Sequence, residues 1–276
     1  VNLGERGTVN RGTVNRGTVM RDPVNGDVEL TGEELQLLDT GTFQRLRGIK
    51  QLGTAHLVYP GATHTRFEHA IGTVHMVSRL LEAAARHGAR DPEQCVAPDQ
   101  DSLRVLRIAA LLHDVTHIPF GHNIEDQTGL LPRHDRPERF QALLGDTDLG
   151  ERLDALGLRE QVLKVLTGAE GVPPFWHQAL SDTVDGDLLD YLRRDAHYTG
   201  LELRYDPRVV GYFRIGRAQQ RMFVDCGKDG MLREDTTSEL IRLLDTRYFF
   251  SERVYYHHAK VAAGALIARA AEPLLA

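Results

Sequence analysis

Leu111-Leu112-His113-Asp114-Val115-Thr116-His117-Ile118-Pro119-Phe120-Gly121-His122 is the stretch on which the fold turns. An apolar pattern from Leu103 predicts a helix through His117 that stops before Pro119. It delivers an adjacent His-Asp pair into an apolar setting. Aspartate is seldom fully buried unless it is paired or ligates a metal. A divalent cation resolves that cost, and it also makes water a nucleophile near neutral pH. His117 follows His113 by four positions, so a helix through both would place them on one face.

Two more stretches extend the set. In Asp187-Leu188-Leu189-Asp190-Tyr191, the residues Asp187, Asp190, Tyr191 and Arg194 are spaced i, i+3, i+4, i+7 along one helix face. His69 opens a long helix predicted over Arg66 to His87, with Phe67, Ile71, Val74, Val77, Leu80 and Leu81 at helical spacing and Gly88 as its C-cap. Bringing three helices together would join His69, His113, Asp114 and Asp187. Mixed nitrogen and oxygen ligation suits a divalent ion such as Mn, Fe, Zn, Mg, Co or Ni. A lone helical histidine is more often an ordinary core or surface residue. The His-Asp doublet, with His117 and His122 close by, lifts this set above that reading. The unperturbed imidazole pKa of about 6.5 suits His117, His122 and His134 to proton transfer at working pH. Glu125 can orient one of them. His117 and His134 could equally hold a second ion. The neighbours Arg133, Asp135 and Arg136 also allow His134 to be an exposed loop histidine.

The remaining pattern is mostly helical. Thr31 with Glu34 is a capping box ahead of a helix through Leu38. Helices are expected over Phe43 to Leu52, Arg136 to Leu144, Glu151 to Leu166 and His177 to Tyr191. A long one is expected over Thr236 to Ala271, broken near Phe250. Asp22-Pro23-Val24-Asn25-Gly26 reads as a turn. Gln219 to Cys226, flanked by Gly216 and by Gly227 with Asp229-Gly230, reads as a hairpin. Residues 6 to 20 read Arg-Gly-Thr-Val-Asn three times, with Met20 in the last Asn position. A five-residue period with a glycine in each unit fits neither helix nor strand, and predicts an extended or poorly ordered arm.

The 276 residues are enough for one sizeable core, and 41% hydrophobic with 26% charged residues is ordinary for a soluble globular chain. No apolar run approaches the roughly 20 residues of a membrane span, and no leader pattern opens the chain. Cys95 and Cys226 form no metal-binding pair, and a reducing cytoplasm is the simplest setting. A net charge of −6 argues against a dedicated duplex-DNA binder. It leaves room for a local basic pocket for a small anion.

Several runs together carry a resemblance. Phe43-Gln44-Arg45-Leu46-Arg47, Lys50-Gln51-Leu52-Gly53, Tyr59-Pro60-Gly61-Ala62 and Arg66-Phe67-Glu68-His69 come first, then His113-Asp114 through His122, Asp187 through Asp195, and Thr246-Arg247 through Tyr255 and His257. In that order they resemble the HD-superfamily deoxynucleoside triphosphate triphosphohydrolases, in particular the SAM- and HD-domain dNTPase branch with its bacterial and archaeal relatives. The resemblance implies a mainly α HD-domain helical bundle with a small β-hairpin excursion: an arm over residues 1–21 and an HD-domain phosphohydrolase over 22–276. It implies metal-dependent hydrolysis of deoxynucleoside triphosphates to deoxynucleoside and triphosphate, in a homo-oligomer. The metal ligands would be His69, His113, Asp114 and Asp187. His117, Glu125 and His134 would handle protons beside the metal, Glu125 standing where the best-known members have Asp. His122 would sit near the scissile phosphoester. Arg66 and Arg247 would contact phosphate. Gln51, Leu52 and Asp195 would hold the deoxyribose 3′-hydroxyl, and Tyr191 and Tyr255 would exclude a 2′-hydroxyl. Asp39, Gln44 and Arg47 match positions where relatives read an activating nucleotide, although the same residues can simply stitch helices together. Two positions depart from the pattern. A phosphate-binding Lys is Leu188 here, and a pocket His is Ser251. These favour, as the alternative, a phosphohydrolase of nucleoside mono- or diphosphates or modified nucleotides. A nuclease is the weaker alternative.

Overall fold

A computed structural model describes residues 17–125, 131–228 and 230–275. The repeat up to residue 16 and Asp229 of the hairpin signal lie outside the described residues. The chain is mainly helical, with three two-stranded antiparallel sheets among the described residues. β1 (Thr18–Asp22) and β2 (Gly26–Leu30) pair around the predicted Asp22–Gly26 turn. The expected boundary between arm and domain therefore falls inside a hairpin. Asp22 explains why: its carboxylate accepts from the amides of Val24 and Asn25 and pairs with buried Arg194 at 2.9 Å.

α1 (Gly32–Leu38) starts at the predicted Thr31–Glu34 capping box. The expected helix from Phe43 to Leu52 is instead a short α2 (Gly41–Gln44) followed by single 3₁₀ turns over Arg45–Gly48 and Gly53–Leu57. α3 (Arg66–Arg90) is the central element. Thr65 and Glu68 close a second capping box, which fixes the start of α3 and puts Arg66 and His69 in its first turns. α3 does not end at Gly88, which is buried inside the helix. A Cβ there would run into the backbone of Val96 and Ala97. That glycine serves close packing of the returning chain rather than a left-handed cap.

α4 (Gln100–Leu112) packs along α3 and ends at His113 rather than running to His117. Beyond it the Val115 and His117 amides turn back by three residues to the Leu112 and Asp114 carbonyls, and the carbonyls of Val115, Thr116 and His117, past the last helical turn, are taken by guanidinium groups. Arg45 donates to Val115 and His117, and Arg139 to Thr116. Then follow α5 (Gly121–Glu125), α6 (Pro137–Leu143), α7 (Asp148–Ala155) and α8 (Arg159–Thr167). The last two replace one expected helix and are split at Gly157, whose φ is +70°. The expected helix from His177 to Tyr191 is also two pieces, α9 (Pro174–Gln178) and α10 (Gly186–Thr199). Between them the Asp182 and Asp185 side chains accept backbone amides, which turns the chain, and Asp185 caps α10 by accepting from Leu188.

β3 (Phe213–Ile215) pairs with β4 (Met222–Val224), and β5 (Gly227–Lys228) with β6 (Met231–Leu232). α11 (Glu234–Phe250) gives way to a π-helical turn over Ser251–Tyr255, and then to α12 (His258–Leu275), so the break falls where the sequence predicts. Leu80, Leu106, Leu111, Leu112, Leu189 and Phe250 sit in one continuous apolar core. No helix among the described residues is long and apolar enough to cross a membrane.

Candidate metal centre and adjoining cavity

Three elements meet at His69. It is fully buried on the second turn of α3, His113 and Asp114 follow the end of α4, and Asp187 lies in the first turn of α10, where the helix dipole favours a carboxylate. His69 Nε2 lies 2.8 Å from Asp187 Oδ1, 3.2 Å from His113 Nε2 and 3.6 Å from Asp114 Oδ2. His113 Nε2 lies 3.6 Å from both Asp114 Oδ1 and Asp187 Oδ1. The structure thus brings together all four residues expected as ligands. Both imidazoles have their other nitrogen engaged: His69 Nδ1 donates to Asp190 Oδ2 and His113 Nδ1 to the Ala110 carbonyl, each at 2.8 Å. That leaves the two Nε2 atoms converging between two carboxylates, where a divalent cation would replace a proton and take up their lone pairs. Asp187, 34% exposed at its side chain, is the open side of the cluster.

The electrostatics fit a cation. Burial works against a charged His69, yet its bonds to Asp187 and Asp190 and the charge of Asp114 outweigh burial and push its pKa from 6.5 up to about 10. Burial likewise opposes a charged His113, and Asp114 and Asp187 still raise its pKa. Against burial, Arg66, His113 and His117 hold the Asp114 carboxyl well below the ordinary range. These carboxylates draw protons onto imidazoles that a metal ion would otherwise occupy.

Asp190 was visible only as one member of a helix face, and its place is specific. Besides His69 it accepts Nε and a terminal nitrogen of Arg194 at 2.7 and 3.0 Å, and Asn25 Nδ2 at 2.8 Å. Room for this cluster exists because position 72 is glycine. A Cβ there would collide with Asp190 and Arg194.

A second group adjoins the first. The His117 and His134 rings stack with centroids 3.6 Å apart, and His122 stands edge-on to both at 5.1 and 5.0 Å. His134 Nδ1 donates to Glu125 Oε2 at 2.9 Å, and Glu125 is fully buried. His117 Nε2 lies 3.3 Å from Asp114 Oδ1. Burial, then the charge of Arg66, pushes the His117 pKa well below its ordinary value, so this imidazole is neutral. The ligand atoms of His117, His122 and His134 lie within 4.8 Å of one another, as do those of His69, His113 and Asp187. Either trio could hold an ion.

Both groups open onto a cavity of about 640 Å³. Gln51, Leu52, Arg66, Tyr191, Asp195, Arg247 and Tyr255 line it, as the sequence reading expects of substrate contacts. Arg66 is buried and paired with Asp114. Asp195 accepts from His64 Nε2 at 2.8 Å and from the Tyr255 hydroxyl at 2.7 Å, and the Tyr191 and Tyr255 rings meet edge to face. The π-helical turn, closed by Tyr256 N to Ser251 O at 2.9 Å, ends on Tyr255. Gln51 Oε1 is buried without a hydrogen-bond partner among the described residues. Lys50, which opens the Lys50–Gly53 run, also lines the cavity, as do Asn123 and Lys260, which no local motif marks. Leu188 packs in the apolar core, away from the cavity wall, and Ser251 Oγ donates to the Arg247 carbonyl. Asp39, Gln44 and Arg47 lie apart from the cavity. Asp39 is exposed at the end of α1, Gln44 Nε2 donates to the Leu38 carbonyl, and Arg47 bonds Gln44 and covers the Phe67 ring.

This fold and this His-Asp centre define a class. Residues 66–191 match the family model of the HD domain. It is related to deoxynucleoside triphosphate triphosphohydrolase SAMHD1 of Mus musculus, being 29% identical over 276 aligned residues that cover 86% of this chain and 41% of the relative. The chain thus spans about two fifths of the length of that curated relative. Among solved structures, a hypothetical protein from Aquifex aeolicus is similar with a TM-score of 0.77 and 27% identity, over 94% of this chain and 65% of that one. A phosphohydrolase from Bacteroides thetaiotaomicron is similar with a TM-score of 0.75 and 26% identity, over 90% and 56%.

Proposed function

We propose that this chain hydrolyses deoxynucleoside triphosphates to deoxynucleoside and triphosphate, with a divalent cation on His69, His113, Asp114 and Asp187. One observation carries the reading. A single cavity of about 640 Å³ joins His113, Asp114 and Asp187 to Gln51, Asp195 and Tyr255 on one wall and to the cationic side chains of Lys50, Arg247 and Lys260. That volume falls within the usual range for a small-molecule site, roughly 300–1,000 Å³. When bound, the ion supplies Lewis acidity that lowers the pKa of water and offsets charge developing on a phosphoryl oxygen.

The chain's own residues do the rest. Glu125 orients His134 through Nδ1 and leaves Nε2 to exchange a proton. Neutral His117 keeps a lone pair for the same purpose. His122, on the cavity wall, protonates the leaving oxygen. The unpartnered Gln51 oxygen accepts the sugar 3′-hydroxyl beside Asp195. Tyr255, held by Asp195, and Tyr191 close on the sugar and leave no space for a 2′-hydroxyl. Arg66, Arg247 and the two lysines face the phosphates. The homo-oligomeric state, the cytoplasmic setting, and nucleotide activation through Asp39, Gln44 and Arg47 belong to the same proposal.

The test is product analysis. Metal-loaded protein is incubated separately with each dNTP, NTP and dNMP and with single-stranded DNA. Deoxynucleoside plus inorganic triphosphate from dNTPs alone supports the reading. Equal rates on ATP and dATP, or turnover of dNMP only, would overturn it. The second outcome would promote the mono- and diphosphate alternative.

A further inference from the structure

The proton-handling residues come from three separate stretches: the turn after α4 with His117, α5 with Glu125, and the segment leading into α6 with His134. One side chain reaches all three. The Arg139 guanidinium, on α6, donates to Glu125 Oε1 at 3.2 Å, to the Pro132 carbonyl at 2.8 Å and to the Thr116 carbonyl at 2.5 Å. Thr116 Oγ1 in turn donates to the His134 carbonyl at 2.6 Å. Glu125 Oε2, the oxygen Arg139 leaves alone, accepts His134 Nδ1 at 2.9 Å and the His134 amide at 3.2 Å. Arg139 is not among the residues that line the cavity.

A glutamate has several rotatable bonds, and a buried carboxylate with one oxygen unbonded is both costly and poorly fixed. A planar guanidinium with several donors in fixed directions supplies the missing bond and ties it to two backbone carbonyls. We infer that Arg139 is a positioning residue for hydrolysis: it anchors Glu125, and Glu125 holds His134 with Nδ1 protonated and Nε2 available to the cavity. The inference rests on the phosphohydrolase reading for its kinetic consequence, though not for its geometry.

Two measurements on the full chain test it. The first is the ¹⁵N-imidazole NMR spectrum, with His134 assigned by its loss in His134→Gln. A protected Nδ1–H should be present in the unmutated chain and lost in Arg139→Ala and in Glu125→Gln. The second is kinetic. Arg139→Ala should lower kcat about 10- to 100-fold, the range for groups that orient active residues, with KM changed less than about 3-fold and metal content unchanged. Arg139→Lys, which keeps a donor for Glu125, should recover part of the loss. Adding Arg139→Ala to Glu125→Gln should cost less than about 3-fold more, because both act through one contact. Full multiplication of the two losses, a KM shift as large as the kcat loss, or a persisting His134 Nδ1–H in Arg139→Ala would each overturn the inference. Should Arg139→Ala fail to fold, Arg139→Gln is read in the same way. A chain that turns over no nucleotide refutes the function while leaving the imidazole signal to decide the role of Arg139.

Discussion

His69 touches nearly every group that defines the centre, and its ring is set from behind. Asp190 holds Nδ1, Arg194 and Asn25 hold Asp190, and Asp22 holds Arg194. Asp190→Asn keeps the shape but removes the charge that makes His69 a strong donor. Divalent-metal affinity should then fall about 10- to 100-fold by isothermal titration, and activity should return at saturating metal. Loss that no metal concentration restores would mean that Asp190 acts on chemistry rather than on binding. Asp114→Ala should instead abolish bound metal and hydrolysis together, and full activity in that variant would sink the metal reading. At the sugar end, Tyr255→Ala removes a ring fixed by Asp195 and should raise the rate on NTP relative to dNTP. An unchanged ratio would show that the ring sets no sugar preference. The meeting of His69, His113, Asp114 and Asp187 was legible because an adjacent His-Asp pair in an apolar setting has few explanations. Asp190 was only half legible: its spacing put it on the right face, but nothing local said it would bond a histidine 121 positions away. Arg139 was not legible at all.

The elements show why. Apolar spacing predicted α3, α4 and α6, because each buries one continuous stripe, and the break near Phe250 also falls where expected. It failed where polar side chains capture backbone groups. α4 ends where the His113 imidazole takes the Ala110 carbonyl and the Val115 and His117 amides turn back by three residues to Leu112 and Asp114, and the helix expected from His177 is broken because Asp182 and Asp185 take amides. Both breaks serve the centre. The first turns His113 and Asp114 toward His69, and the second makes Asp187 a first-turn residue. The sharpest fit between elements is the α3–α10 seam at Gly72. Gly72→Ala should overpack it by about 1–3 kcal/mol, read as a fall in melting temperature. Because the displaced atoms belong to Asp190 and Arg194, bound metal should fall too. A destabilised variant with full metal content would separate packing from ligation.

On the scale of the whole molecule, composition and pattern were enough to expect a mainly helical bundle. They could not show that residues 18–21 of the arm form a strand, because its pairing with β2 is anchored to the body of the protein by a long-range ion pair, Asp22 with Arg194. The same buried charges make global stability depend on metal and pH together. In the metal-free chain the His69 pKa is raised from 6.5 to about 10. A raised histidine contributes stability that is fully present below pH 6.5 and is lost as pH rises through 10. His117 is shifted the other way, so its contribution is lost as pH falls below 6.5 toward its folded value. Asp187 and Asp190 are also depressed, and their contribution is lost only in stronger acid. Metal binding needs a deprotonated His69, so metal affinity gains over the window in which the metal-free chain weakens. Thermal unfolding of chelator-treated protein should therefore show a melting temperature that declines above pH 6.5. The gap between the metal-saturated and metal-free melting temperatures should widen steadily toward pH 10. A gap that stays constant or narrows over that window would mean that the metal does not replace a proton on His69, and that the four residues are a structural ion-pair cluster rather than a metal centre.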